Sequence, residues 1–147
     1  MLDTEYKQIL NEVLGENKYF CLATSDMRGT PWSSPLLYIK DENYNFYFLS
    51  HSASRHCQNI KENNQVAFSI FDSKQNPGIA FGIQAYGKAN IVEEIPLDIR
   101  ESLLKQVSAS ITSRDYIFHK ITIDEIFLPD EHRWEKDGNI RKSVKIR

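Results

Sequence analysis

The sequence predicts a mainly β domain: a small antiparallel barrel with helices at its periphery. Three observations carry that expectation. About seven strand-like runs, aromatic-rich or alternating, are separated by short polar turns, which argues against the regular βαβ rhythm of a parallel sheet. The run 79–92 is punctuated by Gly82 and Gly87, and glycines inside a strand mark the kinks and bulges that curve a sheet. The chain of 147 residues has no linker-like or low-complexity segment and no internal repeat, so residues 1–147 are expected to form one domain.

Ile9, Leu10, Val13 and Leu14 recur at helical spacing behind a Thr4 cap and predict an amphipathic helix over 4–14, stopped by Gly15. From Lys18 the pattern becomes a β-rich run, and Asp26-Met-Arg-Gly29 predicts a turn into a second run from Thr30 to Lys40. Pro31 and Pro35 cannot donate to a ladder, so this run is expected at an edge, at a bulge, or with its backbone left free for a ligand beside Ser33 and Ser34. An ordinary irregular edge strand fits the same residues. A polar turn at Asp41–Asn45 leads to the strand Phe46–Ser50 and then to a short helix from Ser54 to about Asn63. Strands are expected at Gln65–Asp72, over 79–92 and at Tyr116–Leu128, with a helix from Pro96 carrying Leu97, Ile99, Leu103, Leu104 and Val107. Asp137-Gly138 predicts a hairpin in the last segment.

Composition excludes several classes. A net charge of -2 and a pI near 6.1, with no basic cluster before the last few residues, argue against nucleic acid as a partner. No apolar run approaches the ~20 residues of a membrane span, and the N-terminus lacks a signal peptide's basic and apolar regions, so a cytoplasmic protein is expected. Cys21 and Cys57 read as packed small hydrophobes rather than a disulfide. His51, His56, His119 and His132 lack metal-ligand spacing, and no metal is expected. No GxSxG, GxxxxGK[ST] or GxGxxG motif occurs. The adjacent acids Glu93-Glu94 and Asp124-Glu125 would point to opposite faces of a strand, a poor arrangement for an acid–base pair.

Chemistry concentrates in Phe46–Ile60, where an aromatic strand feeds a capped helix. Unsatisfied N–H groups and the positive end of the helix dipole meet there, and Ser52, Ser54, Arg55 and His56 add hydroxyl and cationic donors, a set suited to phosphate. The same residues also read as a plain helix cap followed by a solvated arginine.

Taken in order, Gly29-Thr-Pro-Trp-Ser-Ser-Pro-Leu-Leu-Tyr-Ile-Lys40, Phe46-Tyr-Phe-Leu-Ser50, Ser54-Arg-His-Cys-Gln-Asn-Ile60, Asn63-Asn-Gln-Val-Ala-Phe68 and Gln84-Ala-Tyr-Gly-Lys-Ala89 resemble the pyridoxamine 5′-phosphate oxidase-like FMN-binding split-barrel superfamily. The resemblance spans about Phe20 to Val92 and implies a Greek-key split β-barrel that forms a homodimer, with FMN at the subunit interface. It assigns Ser54, Arg55 and His56 to the FMN phosphate, with His56 in place of the family's lysine, so that one of two cations titrates near neutral pH. Ser33, Ser34, Pro35 and Leu36 would lie along the flavin ring, Pro35 standing where the oxidase has an arginine, and Leu49 and Ser50 would sit near the phosphate. Gln84 stands two residues from the register of a flavin-binding glutamine, which keeps it on the same strand face. Trp134 reads either as a flavin-side aromatic at the dimer interface or as ordinary packing.

In the oxidase proper an Arg-x-His pair near the chain end binds substrate; here Arg133 is followed by Glu135 where the histidine would stand, so vitamin B6 oxidation is not implied. What the resemblance implies is a small flavin-dependent oxidoreductase working with a small-molecule electron donor or acceptor. Its chemistry would reside in the isoalloxazine, with no side chain nominated as acid or base. The alternative is a non-catalytic or stress-related module that holds flavin, haem or a deazaflavin.

Overall fold

A computed structural model describes residues 3–77, 81–106, 115–129 and 141–147. Its elements run α1 (Asp3–Glu16), β1 (Tyr19–Ser25), β2 (Pro31–Leu37), β3 (Ile39–Lys40), β4 (Phe46–His51), α2 (Arg55–Glu62), β5 (Gln65–Phe71), β6 (Gly82–Ile91), α3 (Leu97–Gln106), β7 (Tyr116–Pro129) and β8 (Arg141–Ser143). All the strand pairs are antiparallel, in the order β2-β1-β5-β6-β7-β4-β3, with β8 added on β7.

The run expected from Thr30 to Lys40 is divided. Its first part pairs with β1 and its second with β4, so β2 and β3 lie at opposite ends of the strand order with only Tyr38 between them. The sheet must curl until its edges meet there, which makes a split barrel. Tyr38 holds the corner. Its N–H donates to the Lys18 carbonyl at 3.0 Å, and its hydroxyl reaches the Leu14 and Asn17 carbonyls at 2.9 and 3.1 Å. Its ring lies 5.3 Å from Phe20 and 5.6 Å from Phe46. Placing the prolines of β2 on an edge agrees with the sequence, since an edge strand needs no ladder N–H on its open side.

The barrel interior is aromatic. Phe20, Phe46, Phe48 and Phe68 interlock, with centroids 5.0 Å apart for Phe20–Phe68 and 4.8 Å for Phe46–Phe68, and Tyr6, Leu10 and Leu14 of α1 join the same core. Rings tilted in this way keep edge hydrogens against ring faces while burying large apolar area.

Between β6 and β7 the register shifts at Tyr86/Gly87, with Tyr86 opposite Glu125 but Gly87 opposite Ile123. Asp124 is the extra residue. This bulge lets Ile121, Ile123, Ile126 and Leu128 all face inward although strict alternation would expel the last two. It also brings the Thr122 carbonyl into the space a side chain at Gly87 would need. The bulge expected at Gly87 is therefore present.

Other details differ from the sequence reading. The first helix begins at Asp3 and continues through Gly15 to Glu16. In α3 only Ile99 and Leu103 are buried, while Leu97 and Leu104 are exposed, because α3 touches the barrel along one narrow line against Tyr47. Cys57 is packed as expected, but Cys21 is half-buried on the outer face of β1. Residues 79–80, Val107 and the Asp137-Gly138 turn lie outside the described residues.

Gly87→Ala is expected to destabilise the fold by on the order of 3 kcal/mol, since backbone rather than a flexible side chain blocks the new methyl group. Gly15→Ala, in open space on α1, is expected to stabilise by up to about 1 kcal/mol. Chemical denaturation of the two variants tests both values; equal effects would contradict the packing described.

Candidate functional site

The start of α2 is built by a tight exit from β4. Ala53 N–H donates to His51 Nδ1 at 3.0 Å and Ser54 N–H to the His51 carbonyl at 3.0 Å, turning the chain sharply. Ser54 then caps α2 from an extended conformation, its Oγ accepting the Cys57 N–H at 3.4 Å. The helix is held rigidly. His56, Cys57, Asn59 and Ile60 form its buried face, and the buried Asn59 side chain donates to Thr24 Oγ1 on β1 at 3.0 Å. Asn63 reaches Ser25 Oγ at 3.1 Å.

Arg55 is exposed in the first turn, with its guanidinium 4.3 Å above the ring of Trp32 on β2. That stacking preserves the charge and its N–H fork while restricting where they point. His56 turns the other way. Its Nε2 lies 2.8 Å from Ser50 Oγ and 3.2 Å from Ser54 Oγ, and burial lowers its pKa, so the free protein holds a neutral imidazole beneath the helix start. The cation the sequence reading expected at position 56 is in this state an uncharged, inward-facing ring.

Hydrogen bonds gather Ser50, Ser54 and His56, and Arg55 follows Ser54 in the first turn with its guanidinium over Trp32. Ser34 and Leu36 point inward from β2, on the same face as Trp32 and opposite Leu22 and Phe20. Ser33, Pro35 and Gln84 lie on the opposite, outward face of the sheet, because a pleat sends alternate residues to opposite sides. Leu49 likewise points away from Ser50 and is paired with Phe118. Trp134, with the segment Glu131–Glu135, lies outside the described residues. Sequence reasoning gave no role to Trp32, whose only signal was its alternation with Ser34 and Leu36.

His119 was also missed. It is fully buried on β7, stacked on Phe48 with centroids 4.7 Å apart and planes 2° apart, and neither ring nitrogen has a hydrogen-bond partner among the described residues. Burial pushes its pKa down to about 4, reinforced by His56; the Ile117 backbone opposes and Lys61 adds a little in the same downward direction. Among the described residues no three His, Cys, Asp or Glu side chains converge as a metal site would require.

Fold and site together define a split-barrel protein whose second helix opens on a set of hydroxyl and guanidinium donors. Residues 2–128 match the family model of pyridoxamine 5′-phosphate oxidase, and the chain belongs to that family. No curated protein sequence matches it. Among solved structures, HutZ, a haem storage protein of Vibrio cholerae, is similar with a TM-score of 0.70 at 18% identity, over 82% of this chain and 92% of that one. A putative pyridoxamine 5′-phosphate oxidase of Listeria innocua has a TM-score of 0.69 at 18% identity, over 84% and 97%. A protein of Clostridium acetobutylicum related to general stress protein 26 has a TM-score of 0.69 at 15% identity, over 99% and 97%. At these identities the structures show the shared fold.

His119 makes stability depend on acid. Its folded pKa of about 4 lies below the ordinary 6.5, so its contribution is complete above pH 6.5 and is lost as pH falls toward 4, at about 1.4 kcal/mol per pH unit. His119→Phe is expected to flatten this loss in denaturant titrations at pH 7 and pH 5 (about two units apart). An unchanged acid slope would contradict the assignment.

Proposed function

We propose that this protein is a homodimeric FMN-binding protein, a small flavin-dependent oxidoreductase, with the cofactor phosphate held at the start of α2. The observation that carries the reading is the hydrogen-bonded set Ser50, Ser54 and His56 at a helix N-terminus whose first residue is the exposed Arg55, within this family's fold. The donor set fits a phosphate monoester: a fork of guanidinium N–H groups, serine hydroxyls and the first-turn backbone N–H groups at the positive end of the helix. When bound, the flavin supplies the redox chemistry. The chain's part is to anchor the phosphate through Arg55 and Ser54, with the guanidinium held ready by Trp32. A small molecule serves as electron donor or acceptor.

The outward face of the sheet supports the homodimer. Tyr19, Phe71 and Tyr86 are 61%, 50% and 43% exposed there, beside the small residues Ala23 and Ala67. Such a face is apolar enough to pack against a second copy, which would bring Ser33, Pro35 and Gln84 into the interface. No helix among the described residues is long and apolar enough to cross a membrane, and a cytoplasmic location is part of this proposal.

A second reading has its own observation. HutZ, which shares this fold, is a haem storage protein, so a non-catalytic module for haem or flavin is the competing function.

Protein mixed with FMN and desalted is expected to retain flavin absorbance, and Arg55→Ala to weaken FMN binding at least tenfold with the far-ultraviolet circular dichroism unchanged, as loss of charge-assisted bonds of about 1.5–3 kcal/mol predicts. Trp32→Ala should cost less, about 0.5–1 kcal/mol, because it removes only the positioning of the guanidinium. A haem Soret band that survives desalting, with no flavin retained, would favour the second reading. Ala67→Arg is expected to turn a dimer into a monomer by sedimentation equilibrium; a wild-type monomer would remove the dimer.

A further inference from the structure

His56 lies beneath the start of α2, its Nε2 within hydrogen-bond distance of both Ser50 Oγ and Ser54 Oγ. The imidazolium must donate from Nε2, and the neutral ring carrying its proton on Nδ1 uses the same contacts in the opposite direction. With Nε2 bare, its single lone pair is shared between the two hydroxyls, and a proton it accepts points into the protein. With Nε2 protonated, the ring donates, and a serine that accepts must turn its own proton elsewhere. Ser54 Oγ already takes the Cys57 N–H, so a second bond from His56 would fill its accepting capacity and leave it only able to donate. A donating hydroxyl beside Arg55 suits a phosphate oxygen.

The surroundings of His56 decide when the ring charges. Its own helix carries Arg55, Lys61, the Cys57 thiol, which burial keeps protonated, and at its far end Glu62, whose carboxylate accepts the Met27 N–H. From β7 comes His119, neutral at pH 7; the Phe48 ring lies 4.7 Å from His119 and 6.1 Å from His56. β4 contributes Phe48 and Ser50, and β2 contributes Trp32, all uncharged. Apart from Glu62 at the opposite end of α2 these neighbours are cationic or neutral, and burial sets the downward shift of the His56 ring. A phosphate dianion at Ser54 and Arg55 would reverse that balance, since an opposite charge within a few ångströms favours the charged form.

We propose that a phosphate monoester bound at the start of α2 draws one proton from solvent onto His56, which turns the Ser54 hydroxyl toward the ligand and places a second cation beneath it. The proton comes from water and returns on release, so charge balances across the binding step. His56 is a positioning residue whose charge is created by the ligand. This inference rests on the reading of α2 as the phosphate anchor.

The experiment follows the His56 ring Cε1–H by NMR in the wild-type protein, free and saturated with FMN, from about pH 5 to 9. The expected result is a midpoint below the ordinary histidine range in the free protein, moving up by roughly one unit or more in the complex. Calorimetry of FMN binding near pH 7.5, in buffers of different ionisation enthalpy, counts the protons taken up; the FMN phosphate, with a second pKa of about 6, contributes little there. Wild type is expected to take up about 0.2 of a proton or more beyond His56→Gln. An unmoved midpoint, or equal uptake by the two proteins with FMN still bound, overturns this inference and leaves the anchor intact. Failure of FMN to bind the wild type at any pH overturns the anchor and this inference together. The NMR titration uses only wild type, so it decides the question even if His56→Gln does not fold.

Discussion

The passage of the chain from β2 to β3 through Tyr38 is the constraint on which the rest of the structure depends. One residue cannot span a flat sheet, so pairing β2 with β1 and β3 with β4 forces the sheet to close on itself. Closure brings β2 and β4 near each other, and the short helix that follows β4 is laid across β1 and β2. Trp32 on β2 can then meet Arg55 on α2, and Ser50 on β4 can meet His56. The donor set at the helix start is a consequence of barrel closure rather than of local sequence alone.

Two kinds of interaction hold that set, and they differ in magnitude. Buried hydrogen bonds such as Asn59 to Thr24 fix the helix position, and removing one partner strands the other at a cost of about 1–3 kcal/mol. The cation–π contact between Arg55 and Trp32 contributes less, about 0.5–1 kcal/mol at an exposed site, so it steers the guanidinium without committing it. The guanidinium therefore stays available to an anion. His56 and His119 lie in the opposite regime, where burial keeps both rings neutral and any new negative charge has a large effect.

Local chemistry made much of this legible in advance. Pro31 and Pro35 marked an edge strand, Gly87 a bulge and Ser54 a helix cap, because each depends on the backbone demands of the residue itself. What was not legible depended on distant partners. The division at Tyr38 arises from pairing with two strands remote in sequence. Burial of His119 follows from its place between β4 and β6, and its own sequence neighbours carry no sign of it. The expected α3 stripe overestimated burial, because helical spacing reports which face is apolar and not how much of it finds a surface. The pleat sends Ser33 and Pro35 to one side of β2 and Ser34 and Leu36 to the other, a division that the strand period carries.

The central claim is that the start of α2 recognises a phosphate. Equilibrium titration of the protein with FMN and with riboflavin, which differ only in that group, tests it most directly. The account predicts that FMN binds at least tenfold more tightly than riboflavin and that the difference shrinks as salt is raised, since Arg55 is exposed and its charge is screened. Equal affinity for the two flavins at low salt would contradict it.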